Sequence, residues 1–313
     1  MLSEKIQTKL MELREDNTSG ANELINKALN IVKYQIELLS DKSEDFQDNI
    51  LELSKEILKS RPSMAPLINM MGYLLQNLEV ITKKNILNRI QQFVLDKFDM
   101  EKALERHFTD FILENIKDIN KIMLISYSST IIRLLNTLKD LKDCDIELYI
   151  TESRPLFEGQ KTAEILSSNF QTHLFVDAAI GKIMDEVNLV LVGIDSILRD
   201  GSIINKIGTL PLAIVANESG IEVYAVGESL KYNLNSHFGL KVEIEEKPSD
   251  QVFKPENLEK HIIVHNYYFE ITPPKYITGI ISDLGVLKPQ TFVKKAKKIL
   301  PIDWFQKFLN NND

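Results

Sequence analysis

The chain is short of cysteine: among 313 residues there is one, Cys144. An internal disulfide is therefore excluded, a cysteine-based zinc site is not expected, and the composition fits a reducing compartment. Basic charge is also scarce. Lys and Arg number 37 against 45 Asp and Glu, a net charge of −8, which argues against direct DNA binding because that needs a basic footprint. No apolar run approaches the roughly 20 residues of a membrane span. The first residues, MLSEKIQTKLMELRED, are charged throughout and hold no signal-peptide core. A cytoplasmic protein without membrane contact is expected. Neither GxGxxG, GxxxxGK[ST] nor GxSxG occurs. The five histidines, His107, His173, His237, His261 and His265, are scattered. His261 and His265 would share a face of the strand suggested by Ile262-Ile263-Val264, but no third ligand accompanies them, so no metal site is expected.

What is present is an ordinary globular composition, 44% hydrophobic and 26% charged, sufficient for a sizeable core. Up to about Asn120 the pattern is helical only. Leu24-Ile25, Ala28-Leu29, Val32 and Ile36 recur at helical spacing, as do Ile50-Leu51, Leu53, Ile57 and Leu58. Asp41 and Ser43 are candidate caps between them, Arg61-Pro62 ends a helix, and Ser63 with Pro66 opens the next. The stretch Asn85–Leu113 reads as one long helix or two. After Asn120, short apolar runs at Ile122–Ile125, Ile146–Ile150, His173–Val176, Leu189–Val192 and Ile221–Val226 alternate with helical segments. That alternation predicts βαβ units and a mostly parallel sheet. Lys231–Asn266 reads as mostly surface loop, Ile277–Leu284 as an apolar helix stopped by Gly285, and Gln290–Leu300 as an amphipathic helix before Trp304. The expected organisation is a helical domain at 1–120 and an α/β domain at 121–313.

The centre of this pattern is the stretch LVLVGIDSILRDGSIINKIGTLPLA, Leu189–Ala213. A buried strand ends at Gly193, and Asp195 follows at what would be its carboxyl end, where open α/β sheets place ligands. Asn205-Lys206-Ile207-Gly208-Thr209 reads as a loop leading into a helix, a form that offers backbone N–H groups to an anion. Ser126–Thr130, Glu152-Ser153-Arg154 and Asp177 follow other strands and would lie along the same edge. Arg154 suits bidentate phosphate binding, with Lys206 and hydroxyls completing a shell for a phosphorylated small molecule. Arg61 is a further candidate anion anchor. Each residue also has a plain structural alternative: Ser128, Asp177 and Asp195 as caps, Lys206 as a solvated charge, Arg61 as a partner for helix-terminal carbonyls. Both readings are open at this level.

The motifs RPSMAPLIN (Arg61–Asn69), SYSSTIIRLL (Ser126–Leu135), ESRPLFEGQKTA (Glu152–Ala163), VDAAIGKIM (Val176–Met184), VGIDSILRDGSIINKIGTLPLA (Val192–Ala213) and TPPKYITGIISDLGVLKP (Thr272–Pro289) together resemble the translation initiation factor 2B alpha/beta/delta superfamily. That superfamily also contains methylthioribose-1-phosphate and ribose-1,5-bisphosphate isomerases. The resemblance implies an α/β fold in which an N-terminal all-helical domain precedes a Rossmann-like domain with a mostly parallel sheet and dimerisation through the latter. In the isomerases the loop after the first strand resembles T-H-C-N, and its cysteine pairs with an aspartate. Here Leu124-Ile125-Ser126-Tyr127 stands there: Ser126 takes the cysteine position while Asp195 keeps the aspartate position. An alcohol is a poor substitute for a thiol of pKa about 8.5. The resemblance therefore implies first a regulatory or scaffold subunit without catalysis. It would form a homodimer or larger oligomer, meet initiation factor 2 or sister subunits, require no cofactor, and bind a sugar phosphate or nucleotide through Arg61, Ser126, Arg154, Asp195, Asn205 and Lys206. The alternative is a sugar-phosphate isomerase converting an aldose 1-phosphate to a ketose, with Arg61, Arg154 and Lys206 on phosphate and Asp195 moving the proton.

Overall fold

A computed structural model of the chain describes residues 2–16, 20–39, 45–61, 64–78, 80–115, 119–141, 145–253 and 262–310. The expected caps Asp41, Ser43 and Ser63, together with Pro62, Cys144 and His261, lie outside the described residues. Among the described residues, five helices come first: α1 (Glu4–Glu15), α2 (Ala21–Leu38), α3 (Phe46–Ser60), α4 (Ala65–Leu75) and α5 (Lys83–Glu114). The apolar positions that define α2 by period, Leu24, Ile25, Ala28, Leu29, Val32 and Ile36, are all buried. α4 begins with Pro66 in its first turn, where a missing N–H costs nothing. α5 is one unbroken helix of 32 residues, opened by the Thr82 side chain accepting from the Asn85 N–H.

The alternating part follows: β1 (Lys121–Leu124), α6 (Ser129–Leu141), β2 (Glu147–Thr151), α7 (Glu158–Leu166), β3 (Gln171–Phe175), α8 (Ile180–Ile183), β4 (Leu189–Gly193), β5 (Ser196–Ile197), β6 (Ile203–Lys206), α9 (Thr209–Glu218), β7 (Val223–Val226), α10 (Leu234–His237), β8 (Phe269–Thr272), β9 (Gly279–Ser282), β10 (Gly285–Leu287), α11 (Pro289–Ala296) and α12 (Ile302–Asn310). Among the described residues, seven strands form one sheet in the order β10-β9-β7-β4-β1-β2-β3. Every pairing is parallel except the β9–β10 hairpin. The expected α/β class with a helical N-terminal region is what the chain adopts. Successive strand residues alternate between two apolar clusters. Met123, Tyr149, Val190 and Val192 face one, and Ile122, Leu124, Leu148, Ile150 and Leu191 the other. This is the period of two expected for strands covered on both faces. α5 spans both clusters, placing Ile86, Ile90 and Phe93 in the first and Leu104, Phe108 and Ile112 in the second.

Three sequence-based expectations give way. Ile277–Leu284 is strand β9 and a turn, not a helix. A short β-branched run does not distinguish the two states by period, and the sheet decides it by pairing Ile280 and Ile281 in parallel with Ala225 and Val226 of β7. Gly285, at φ +111°, closes a hairpin and does not cap a helix. Asn205 and Lys206 lie on strand β6, within a second, three-stranded antiparallel sheet ordered β5-β6-β8, and not in a loop. Finally, the segment expected to be surface loop begins buried: Lys231, Tyr232, Asn233 and Leu234 are all covered. The fully buried Asn69 of α4 donates to the carbonyls of Leu230 and Tyr232 at 2.7 and 2.8 Å, and such interior polar bonds leave no sequence period.

Gly159, in the first turn of α7, allows that helix to pack on β2. A Cβ there would lie 1.7 Å from the Thr151 carbonyl oxygen. Because the obstacle is backbone, Gly159→Ala is expected to lower stability by about 3 kcal/mol, the upper part of the usual overpacking range, as measured by urea unfolding. An unchanged midpoint would contradict this packing.

Candidate functional site

The strand order reverses direction around β1, with β2 on one side and β4 on the other. The crevice between the carboxyl ends of β1 and β4 is the topological switch point, where this class of sheet binds ligands. Ser126 follows β1 and Asp195 follows β4, so topology alone brings them to that crevice. A cavity of about 400 Å³ occupies it, lined by Ser126, Tyr127, Ser128, Glu158, Lys161, Asp195, Asn205, Lys206 and Lys231 among others. Gly193 lets the end of β4 approach α6 closely: a Cβ there would lie 3.2 Å from Ser128 Cβ. The start of α2, Gly20 to Asn22, forms another wall, so the helical region takes part in enclosing the cavity.

The floor loops are held in unusual backbone conformations. Ser126, Ser153 and Phe157 adopt left-handed values, φ +67°, +62° and +59°. For non-glycine residues this costs on the order of 1–3 kcal/mol each and persists only where surroundings enforce it. Here they do. The Ser126 N–H donates to Ser153 Oγ at 2.7 Å, and Thr162 Oγ1 donates to the Ser126 carbonyl at 2.8 Å. Asp177 accepts from the N–H groups of Ser153 and Arg154 at 2.8 and 2.7 Å. Asp177 thus ties two strand-end loops together instead of capping its own helix. The Arg154–Pro155 peptide is cis.

Asp195 is positioned by its N–H donating to the Ile204 carbonyl at 2.9 Å. Burial pushes its carboxyl above the usual carboxylate range, opposed by the charges of Lys231 and Lys206 and reinforced by Glu158. A carboxyl that keeps its proton nearer neutrality is suited to acid/base work. Lys206 is buried, 3% exposed, and its Nζ donates to Glu158 Oε1 at 2.6 Å. Asn205 Nδ2 donates to Thr209 Oγ1 at 3.0 Å.

A second cavity, about 370 Å³, adjoins the first and shares Asp195 and Phe269 with it. Arg14, Arg61 and Lys247 line it, with Glu243 and Glu245. Arg61 is found here, although its guanidinium also donates to carbonyls at the end of α1, Leu13 at 3.1 Å and Asp16. Arg154 lines neither cavity: its guanidinium donates to the Gln251 and Val252 carbonyls at 3.3 Å each and lies 4.8 Å from the Phe157 ring. Of the six residues singled out from sequence, Ser126, Asp195, Asn205 and Lys206 share one cavity, Arg61 joins Asp195 in the other, and Arg154 stands apart.

The start of α9, expected to present N–H groups to an anion, is occupied from within. Glu270 Oε1 accepts from the N–H groups of Gly208 and Leu210 at 2.6 and 3.0 Å. Glu158 and Lys231 were not singled out from sequence. Lys231 sits in the ESLK segment, held in place because Asp283 accepts from Ser229 N–H and Oγ at 2.6 and 2.7 Å; a lysine after a buried strand was its only signal. Among the described residues no three His, Cys, Asp or Glu side chains gather as metal ligands. None of the described helices is long and apolar enough to cross a membrane.

Residues 17–289 match the model of the Initiation factor 2 subunit family. The chain belongs to that family. Ribose 1,5-bisphosphate isomerase of Methanocaldococcus jannaschii is 32% identical over 290 residues, covering 92% of this chain and 90% of that protein. The protein of the same name from Pyrococcus furiosus is 31% identical over 311 residues, covering 95% and 92%. The crystal structure of a Pyrococcus horikoshii translation initiation factor eIF-2B superposes with TM-score 0.78 at 27% identity, covering 93% of this chain and all of that one. Both branches of the Initiation factor 2 subunit family are thus represented among its relatives, and the isomerase expectation gains weight from the first two.

Proposed function

We propose that this protein binds a phosphorylated sugar across the two cavities and converts an aldose 1-phosphate to the corresponding ketose, ribose 1,5-bisphosphate being the substrate that fits best. One observation carries this: Asp195 stands where two cavities meet, and each is lined with cations, Lys161, Lys206 and Lys231 in one and Arg14, Arg61 and Lys247 in the other. A sugar with a phosphate at each end would place its carbons at Asp195. One phosphate would meet Lys231 and the first N–H groups of α6, beside Ser128–Thr130; the other would meet Arg14, Arg61 and Lys247.

A single carboxyl group closes the reaction cycle. Protonated Asp195 gives its proton to the ring oxygen as the bond from that oxygen to C1 breaks. The carboxylate removes the proton from C2, and the enol forms. The same proton returns to C1, and the carboxylate then takes the proton of the C2 hydroxyl as the ketone forms. Asp195 begins and ends protonated, which its burial favours. In this reading the helical region, residues 1–120, covers a pocket carried by residues 121–313, and the protein works in the cytoplasm as a homodimer or larger oligomer.

Ser126 favours a second reading, a noncatalytic subunit that keeps the pocket as a sensor and presents its surface to initiation factor 2 or sister subunits. Ser126→Cys separates the two. Restoring a thiol at the carboxyl edge is expected to raise ketose formation from ribose 1,5-bisphosphate by on the order of 10²-fold, followed by the appearance of the ketone carbon in carbon NMR. If neither protein forms ketose while the bisphosphate still raises the melting temperature, the sensor reading replaces the first.

A further inference from the structure

Lys206 is one of three cations, with Arg61 and Arg154, expected from the sequence to hold phosphate, yet the structure commits it elsewhere. Its Nζ donates at 2.6 Å to Glu158, 48 positions away, and lies 5.1 Å from the Tyr268 ring centroid. Glu158 opens α7, and a carboxylate in a first helical turn has a plain electrostatic benefit. That benefit does not require the side chain to reach into the crevice and hold a buried lysine. The backbone beneath Glu158 is pinned on both sides. Phe157 before it is left-handed, with its N–H bonded to the Ser153 carbonyl at 2.9 Å, and Gly159 after it is wedged on the Thr151 carbonyl. The carboxylate is therefore preorganised.

Among the described residues, only one of its oxygens is used. Glu158 Oε2 is buried and meets no donor among the described residues, whereas a carboxylate can accept at both oxygens and buried acceptors are nearly always met. Glu158 lines the same cavity as Asp195 and Lys231. An incoming anion would meet this negative charge at close range and compete with it for Lys206. A ligand hydroxyl would instead find an acceptor.

We propose that Glu158 determines the specificity of the pocket: it withholds Lys206 from simple anions and accepts a hydroxyl of the bound ligand, so that the site selects a polyhydroxylated phosphate ester over inorganic phosphate. This rests on the phosphosugar reading of the cavity and adds to it the group that reads the sugar rather than the phosphate.

The test is calorimetric titration of the full chain, wild type, Glu158→Gln and Glu158→Ala, with inorganic phosphate and with ribose 1,5-bisphosphate. The wild type should prefer the bisphosphate strongly. Both variants should bind inorganic phosphate about tenfold more tightly, and the preference for the bisphosphate should fall by about a hundredfold. Adding Lys206→Met to Glu158→Gln should abolish the gain for inorganic phosphate. Thermal melts establish that each variant is folded, and Glu158→Ala carries the test if the glutamine variant is not. A preference unchanged within threefold in a folded variant overturns the proposal and leaves the phosphosugar reading standing. If the wild type binds neither probe while the variants bind inorganic phosphate, Glu158 excludes anions as proposed and the phosphosugar reading falls. If neither probe binds any of the proteins, both fall.

Discussion

Asp195→Asn should reduce ketose formation by on the order of 10²–10⁴-fold, the usual contribution of a positioned acid/base group, while the bisphosphate still binds within a few fold of wild type. The substitution keeps the shape of the side chain and leaves the backbone bond from residue 195 to Ile204 intact. It removes the only group the proposed cycle uses to carry protons. The same change should not harm the fold. Burial raises the Asp195 carboxyl above its ordinary value, against the pull of Lys231 and Lys206, so the native protein holds this proton more tightly than the unfolded chain does. The resulting stability is complete below the unfolded value near 3.9 and is lost as pH rises through the raised folded value. Asparagine is free of that loss, so above neutrality the variant should be at least as stable as wild type. An activity loss under tenfold would place the proton carrier elsewhere.

Asn69→Ala should be among the most damaging single substitutions outside the pocket, at about 2–4 kcal/mol. Asn69 is completely buried and donates to two carbonyls, Leu230 and Tyr232, that flank Lys231. Its removal strands two buried acceptors, and each unmet buried group costs roughly 1–3 kcal/mol. Urea unfolding reads the loss. Affinity for the bisphosphate should fall as well, because the segment carrying Lys231 loses its tie to α4. A stability change below about 1 kcal/mol would mean that these bonds do not anchor the segment.

Much of this architecture was legible in the residues, and the exceptions share physical causes. The helical period of α2 and the alternation of apolar runs after Asn120 are local signals, and the structure follows them. The β9–β10 hairpin misled because Gly279–Ser282 is too short to show a period, and only its neighbour β7 makes it a strand. The β5-β6-β8 sheet joins residues some seventy positions apart, a pairing with no local trace. Within the candidate site, Ser126 and Asp195 were readable because they follow strands at a sheet's carboxyl edge, whereas Asn205 and Lys206 reach the same cavity from strand β6 of the second sheet and not from the loop expected for them. Arg154 was a fair candidate on chemistry, but carbonyls of Gln251 and Val252 claim it. Glu158 carries no local signal, and only the fold shows that it reaches Lys206.

The most direct test is phosphorus NMR of the purified protein with ribose 1,5-bisphosphate, beside the Asp195→Asn variant. A substrate held at both ends across Asp195 predicts that both phosphorus resonances broaden on binding to either protein, and that with wild type alone they give way to the two resonances of the ketose bisphosphate. A wild-type spectrum in which neither resonance broadens nor converts would contradict the account.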